Sequence, residues 1–299
     1  MTRAGKIALG IILSLAGLFL FSVFILFAGL FSAPADESLS TSGEKVAVII
    51  LDEPILSSEP TVRQFKKYRE NRSVKAIIFR IDSPGGGVAA SQEIYEEVRK
   101  AVNAGKPVIV SMGAIATSGG YYVACPATKI FANQGTLTGS IGVIMQFLNF
   151  KELMDKVGIN ESTYKSGILK DAGSPYRAPT AEERKYFQFL LSDVHGQFID
   201  AVSTARKIPR TKIEKLADGS VFSGRTAYRH GLIDTLGTFE DAIDYAAKEG
   251  GIKGTPKVVR EMRRRSFIQD LFNIETNLFE QRAFSYFTQP ILQYRLTHN

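Results

Sequence analysis

A single cysteine, Cys125, and three histidines are nearly all that this 299-residue chain has of the residues most used for disulfides and soft-metal sites. One cysteine excludes an intramolecular disulfide and says nothing about redox compartment. There is no zinc-finger spacing and no RNA-binding motif, so the net charge of +7 does not become a nucleic-acid footprint. It suits a protein working beside anionic lipid headgroups. The histidines are poorly placed for chemistry. His195 falls inside a long helical pattern, where a surface or satisfied core position is expected. His230 sits in the helix-ending "RHG", a favourable place for a structural histidine, and His298 is one residue from the end. Counting alone does not exclude a Ser-His-Asp set, because Asp171, Asp193 and Asp200 all follow the one serine singled out below, Ser118.

Charge is also missing from Ile7 to Phe31. As a helix this stretch would span about 37 Å, against roughly 30 Å for a bilayer core. It is far longer than the apolar part of a cleaved signal peptide, although "SAPAD" (Ser32 to Asp36) offers small residues for a cleavage enzyme. The sequence therefore predicts one N-terminal transmembrane helix. Arg3 and Lys6 precede it, and Asp36 and Glu37 follow it, which puts the N-terminus in the cytoplasm and the rest of the chain outside. The expected organisation is a cytoplasmic stub and anchor over 1–33, a polar tether "PADESLSTSGE" over 34–44, a globular domain over 45–256, and a basic amphipathic segment over 257–299. In that last segment Phe267, Leu271, Ile274 and Leu278 are spaced for one helix face, fit for docking on the domain or a neighbouring subunit, or for a membrane surface.

Within the domain, "VAVIIL" (46–51), "VKAIIFRID" (74–82) and "PVIVSMG" (107–113) are continuous apolar runs that read as buried strands. "KIFAN", "IGVIM" and "STYKSG" read as further short strands, and helical patterns lie between. Strands alternating with helices predict an α/β fold with a largely parallel sheet.

Three constellations could carry chemistry. In "AIATSGGYYVA" (114–124), Ser118 stands between a strand and a short helix. Glycines 119 and 120 would permit a sharp turn that thrusts the serine outward, with the Gly119 amide aimed at a developing oxyanion. The competing reading is a serine N-cap beside tightly packed glycines. "DSPGGG" (82–87) closes a strand and opens a helix. "GGGVAA" formally fits a dinucleotide fingerprint, but the next strand ends in "SMGA" without the acid that fingerprint requires. That leaves oxyanion donation by glycine amides, or a plain turn. The third is "YKSGILKDAGSPYRAPT", with Lys165 and Lys170 in a loop. A lysine can serve as a base when burial disfavours its ammonium. Spacing does not choose between the two. Asp171 would oppose that role if it faced Lys170, so it is expected to point away.

Taken together and in order, "DSPGGGV", "ATSGGYYVA", "TLTGSIGVI", "YKSGILKDAGSPYR" and "ADGSVFSGRTAYRHGLIDTLG" resemble bacterial signal peptide peptidase A in its short, single-unit form. The resemblance covers roughly residues 45 to 245 and includes a preceding anchor. It implies a Clp protease/crotonase-like fold of repeated ββα units and a Ser-Lys serine endopeptidase. By motif, Ser118 is the nucleophile, a neutral and buried Lys170 the base, Gly85 and Gly119 the oxyanion donors, and Ser140 a hydroxyl that orients the lysine. No metal and no cofactor is implied. The implied substrates are signal peptide remnants or other apolar peptides in the membrane. The implied assembly is a homo-oligomeric dome with sites completed between subunits, on the outer side of the cell membrane. A general membrane quality-control protease, a crotonase-type acyl-CoA enzyme and a non-enzymatic membrane scaffold are the alternatives.

Overall fold

The computed structural model describes residues 5, 14–24, 43–261 and 293–295. The chain divides into two units, Met1–Thr41 and Ser42–Asn299. In the first, residues 14–24 are helical and exposed. Among the described residues no helix is long and apolar enough to cross a membrane. The expected span over 7–31 lies largely outside them, as does the amphipathic pattern of Phe267 to Leu278.

The second unit alternates strand and helix. In chain order it runs β1 (Lys45–Leu51), α1 (Glu59–Glu70), β2 (Val74–Ser83), β3 (Gly85–Gly87), α2 (Val88–Asn103) and β4 (Val108–Thr117). It continues through α3 (Gly119–Ala124), β5 (Lys129–Ala132), β6 (Leu137–Gly139), α4 (Lys151–Val157), α5 (Ala181–Arg206) and α6 (Arg210–Glu214). It ends with β7 (Val221–Ser223), α7 (Gly224–His230), β8 (Thr235–Leu236), α8 (Phe239–Glu249), β9 (Lys257–Arg260) and β10 (Gln293–Arg295). The main sheet has the order β7-β6-β4-β2-β1-β9, and β5 pairs with both β4 and β8. All its pairs are parallel except β6 with β7.

The central strands are apolar on both faces because helices cover both. On one face Val46, Val48, Ala76, Ile78 and Ile109 pack against Ala242, Ile243 and Ala246 of α8. On the other, Phe79 of β2 meets Phe65 of α1 edge to face, with ring centres 5.1 Å apart. This is the mixed α/β sheet that the alternation predicts. β9 pairs with β1, so the sheet reaches past residue 256, where the sequence reading ended the domain. "IGVIM" and "STYKSG" do not form strands. They belong to an arm, 142–180, whose residues 155–170 are all exposed. Apart from a single bridge position at Ile144, the arm carries no strand among the described residues.

The strand bearing the site is bent on purpose. Ile81 pairs with Met112, but Ser83 pairs with Ala116, so β4 carries extra residues opposite β2. Such a bulge leaves a backbone amide without its ladder partner. Asp82 fills the gap: its Oδ1 accepts from the Ile115 amide at 3.0 Å. The carboxylate fits only because residue 113 is glycine, where a Cβ would lie 2.6 Å from Asp82 Cγ. Gly113→Ala should therefore destabilise the fold by about 1–3 kcal/mol in chemical denaturation. An unchanged midpoint would contradict this account of the bulge.

Candidate active site

Past the bulge, β4 delivers Ser118 to the turn before α3. Ser118 has φ 53 and ψ −117, a conformation unfavourable for a residue with a side chain. The surroundings hold it there. Its amide donates to the Gly139 carbonyl at 2.8 Å, and its carbonyl accepts from the Tyr122 amide at 2.8 Å. The hydroxyls of Thr136 and Thr138 donate to the Gly113 and Ala116 carbonyls, both at 2.7 Å, and stitch β4 to the chain beside it. On the far side of α3, the buried Tyr121 hydroxyl donates to the Leu232 carbonyl at 2.9 Å. Gly120 is required by packing, since a Cβ would lie 2.7 Å from the Ser83 carbonyl oxygen. Ser118 is 1% exposed, and its hydroxyl makes no hydrogen bond among the described residues. It does not cap α3.

Three other expected site residues gather at this turn. Gly119 opens α3. The Tyr122 amide is the one that bonds back to Ser118, so the Gly119 amide has no acceptor within the helix. Gly85 lies across from the turn, where the Thr117 hydroxyl donates to the Pro84 carbonyl at 3.3 Å. Gly85 has φ 97, and its amide donates to Ser83 Oγ at 3.2 Å. That bond is long and neutral, so a developing oxyanion, a stronger acceptor, can displace it. Ser140 follows Gly139, whose carbonyl holds Ser118. It too has a positive φ, 51, and its amide donates to the Ser220 carbonyl at 2.8 Å.

Ser140 opens onto a pocket of about 590 Å³ that is also lined by Ser192, His195, Asp218 and Gly219. Two hydrogen bonds from Ser220 hold the Asp218 carboxyl below the usual carboxylate range. His195 lies on α5, half-buried, as either expected position would allow, but its Nε2 is buried and has no hydrogen-bond partner among the described residues. Cys125 carries no chemistry. Burial pushes its thiol up to about 12, and its Sγ donates to the Tyr121 carbonyl at 3.2 Å. Tyr121 and Tyr122 are core residues and do not line a cleft.

None of the hydrogen bonds that hold this turn involves Lys170 among the described residues. That lysine lies on the exposed arm, and its ammonium makes no hydrogen bond or ion pair among the described residues. It does not line the pocket at Ser140. The expectation of a buried lysine is thus corrected for the single chain: Lys170 is exposed, and no described residue covers the segment that carries it. Lys165 is engaged, donating to Asp171 Oδ1 at 2.5 Å and to the Ile168 carbonyl at 3.1 Å. Asp171 also accepts from Arg177 Nε at 2.9 Å.

Arg177 organises the base of the arm, and its role was not evident from the sequence. Besides Asp171 it pairs with Glu183 and donates to the Asp171 carbonyl at 3.1 Å. Glu183 in turn closes the cap of α5: Thr180 Oγ1 accepts from the Glu183 amide at 3.1 Å, and Glu183 Oε2 accepts from the Thr180 amide at 2.9 Å. Only "TAEE", which fits the capping-box pattern, signalled any of this in the sequence.

Comparison with known proteins bears on this geometry. Residues 100–253 match Peptidase family S49. The chain belongs to peptidase family S49. Ser118, Gly119, Ser140 and Lys170 fall within the matched S49 region, and Gly85 precedes it. The chain is 40% identical over 186 residues to a putative signal peptide peptidase SppA of Enterococcus faecium, covering 62% of this chain and 54% of that one. It is 40% identical over 214 residues to a putative protease of Synechocystis, covering 71% of this chain and 77% of that one. It is 36% identical over 197 residues to Protease 4 of Haemophilus influenzae, covering 65% of this chain and 32% of that one. The S49 chain thus spans about half the length of the Enterococcus relative and a third of the Haemophilus one.

The ion-pair network makes a pH prediction. Arg177 first, and then Lys165, hold the Asp171 carboxyl well below its ordinary range, and Arg177 does the same for Glu183. Groups with lowered folded-state pKa values stabilise the arm above their ordinary pKa of about 4, and that contribution fades only as pH falls through the lowered values. Hydrogen exchange across 165–180, corrected for intrinsic rate, should therefore be flat from pH 5 to 8. Arg177→Gln should speed it on the order of tenfold. Fast exchange in the unsubstituted protein at pH 5 would contradict the network.

Proposed function

We propose that this S49 chain is a membrane-anchored serine endopeptidase in which Ser118 is the nucleophile and Lys170 of a neighbouring copy is the general base. One observation carries the reading. A serine is held in a strained turn with its hydroxyl unengaged, while the lysine assigned to it by motif stands exposed and unpaired on an arm of the same chain. The arm exposes Ile159, Tyr164 and Ile168 beside Lys170, and Tyr164 is 96% exposed. Burying that face against a second copy would desolvate the lysine and favour its neutral, basic form. The pocket at Ser140 offers the incoming amine a hydroxyl acceptor.

The chemistry follows from these groups. Neutral Lys170 takes the Ser118 proton as Oγ attacks a peptide carbonyl carbon, and the amides of Gly119 and Gly85 stabilise the oxyanion. The new ammonium returns the proton to the leaving amine. The acyl-enzyme is then hydrolysed by water, whose proton the lysine accepts before returning it to Ser118. The scaffold is of the Clp protease/crotonase kind. Signal peptide remnants left in the membrane are the proposed substrates, supported by the name of the Enterococcus relative and by the apolar run at 7–31. The catalytic unit would then stand at the outer face of the membrane as part of a homo-oligomeric dome. Wider clearance of membrane-protein fragments uses the same chemistry. A crotonase-type acyl-CoA reaction gives no role to Ser118, and a scaffold gives none to Lys170.

Hydrolysis of an apolar fluorogenic peptide should be followed against pH for the full chain and for Ser118→Ala, Lys170→Ala and His195→Ala. The first two should each lose at least ~10³ in kcat/KM, and His195→Ala should retain activity. The rate should rise with pH as the base loses its proton, then level. If His195→Ala abolishes activity and Lys170→Ala does not, the unpaired histidine is the base and the dyad is wrong.

A further inference from the structure

The parallel strands of the main sheet put their N-terminal ends on one side and their C-terminal ends on the other. Ser118 lies at the C-terminal side, directly after β4. The residues that enter β1, β2, β4, β5 and β9 lie at the opposite side, about 30 Å away along the ten residues of β4. The register sets these entries side by side: Lys257 pairs with Lys45, Lys45 with Val74, Ile77 with Val108, and Ile109 with Lys129.

The two ends differ in charge. At the entries stand Arg72, Lys75, Lys106, Lys129, Lys253 and Lys257, and the acid in these connections is Glu44. Asp234, before β8, is paired with Arg206. Among the residues that leave the same strands, 52–58, 84, 118, 133–136 and 261, there is no lysine or arginine. Asp52, Glu53 and Glu261 lie there, against Arg260 at the last position of β9.

Much of the basic charge is uncommitted. Arg72, Lys253 and Lys257 are exposed and make no ion pair among the described residues. Lys75 pairs with Glu44 at 3.3 Å, both partly exposed. Lys106 caps α1, donating to the carbonyls of Tyr68, Arg69 and Asn71 at 2.6, 3.0 and 2.8 Å, close enough to Lys75 for the two charges to interact. A Cβ on Gly250 would meet Lys75 Cβ at 3.0 Å, so the turn after α8 lies against the β2 entry. That turn and Gly43–Glu44 line one recess of about 510 Å³, with Lys253 and Lys257 on its wall.

The chain also enters the domain at this recess. From the end of the apolar run, the linker 32–43 spans at most about 42 Å even fully extended. A membrane holding that run keeps the recess and its lysines near the surface. An attraction too weak to hold a free protein is enough for a tethered one. Cations add to one another when they come within a Debye length of anionic headgroups.

We propose that the basic end of the sheet docks on anionic phospholipid headgroups, with the recess between Gly43 and Lys257 seated on the surface and Ser118 held about 30 Å from it. A peptide must then come out of the bilayer to be cleaved. The proposal takes the anchor from the reading above and none of its chemistry.

The full chain is reconstituted in vesicles of phosphatidylcholine alone and in vesicles that are about one-third phosphatidylglycerol. Lysines are labelled with a soluble amine-reactive reagent, and rates are taken relative to Lys185 on α5. Labelling of Lys75, Lys253 and Lys257 should slow at least about fivefold on the anionic vesicles compared with the neutral ones. About 1 M salt, where the Debye length is about 3 Å, should abolish the difference. So should the combined exposed-loop variant Arg72→Glu, Lys253→Glu, Lys257→Glu, read at Lys75. Equal rates in the two lipids overturn the proposal. Equal slowing on both also overturns it, because something other than lipid charge then covers this end. Co-flotation with the neutral vesicles reads the anchor separately. If the chain does not float with them, the anchored reading fails, while labelling with the anionic vesicles still decides whether the basic end docks.

Discussion

The 2.8 Å hydrogen bond from the Ser118 amide to the Gly139 carbonyl is the constraint on which the site depends. It holds Ser118 at φ 53, which the residue would leave if it were free to relax. For that bond to form, β4 must reach past its pairing with β5 and run beside β6. It does so because the Gly113 bulge re-registers it against β2, and Asp82 takes up the amide the bulge leaves over. Strain at the serine is thus sustained by packed strands and buried hydroxyls several residues away. The same bond places Ser140 near Ser118, since Ser140 follows the acceptor glycine.

Half of the proposed dyad is built in this way and the other half is not. Ser118, Gly119, Gly85 and Ser140 are fixed by the sheet. Lys170 stands on an arm that is ordered at its base and uncovered at its tip. Arg177 and Glu183 anchor the base, with Asp171 turned to Lys165 and Arg177, so no carboxylate among the described residues is committed to Lys170. Such an arm costs apolar exposure in the isolated chain, and a contiguous exposed apolar face marks an interaction surface. An enzyme assembled so would keep its base apart from its nucleophile until copies associate, which limits hydrolysis by unassembled chains.

Much of this was legible in the sequence because burial leaves a direct trace. Runs such as "VAVIIL" and "VKAIIFRID" have no polar face, and only strands covered on both sides need none. The Ser118 turn was legible from its glycines, of which Gly120 is required by the Ser83 carbonyl. The β2–β4 bulge was not, because one glycine and one aspartate 31 residues apart carry no periodic signal. The arm misled the reading of "STYKSG" as a strand: alternation shows that a segment wants a neighbour, without saying whether the neighbour belongs to the same chain. Three residues, "QYR", give no pattern at all, and their pairing with β3 is a tertiary fact. The helical pattern around His195 allowed a surface or a satisfied core position, and it carries no signal that Nε2 is closed off in the pocket that Ser140 also lines.

The central claim is that nucleophile and base come from different copies of the chain. Mixing two inactive variants, Ser118→Ala and Lys170→Ala, tests it most directly, because a mixed assembly contains junctions with an intact Ser118 from one copy and an intact Lys170 from the other. The account predicts that peptide hydrolysis returns after subunit exchange, to on the order of a quarter of the unsubstituted rate if copies mix at random in equal amounts and each site draws on two copies. If the mixture exchanges subunits and stays inactive, both residues serve within one chain, and the exposed arm of this structure is not the source of a neighbour's base.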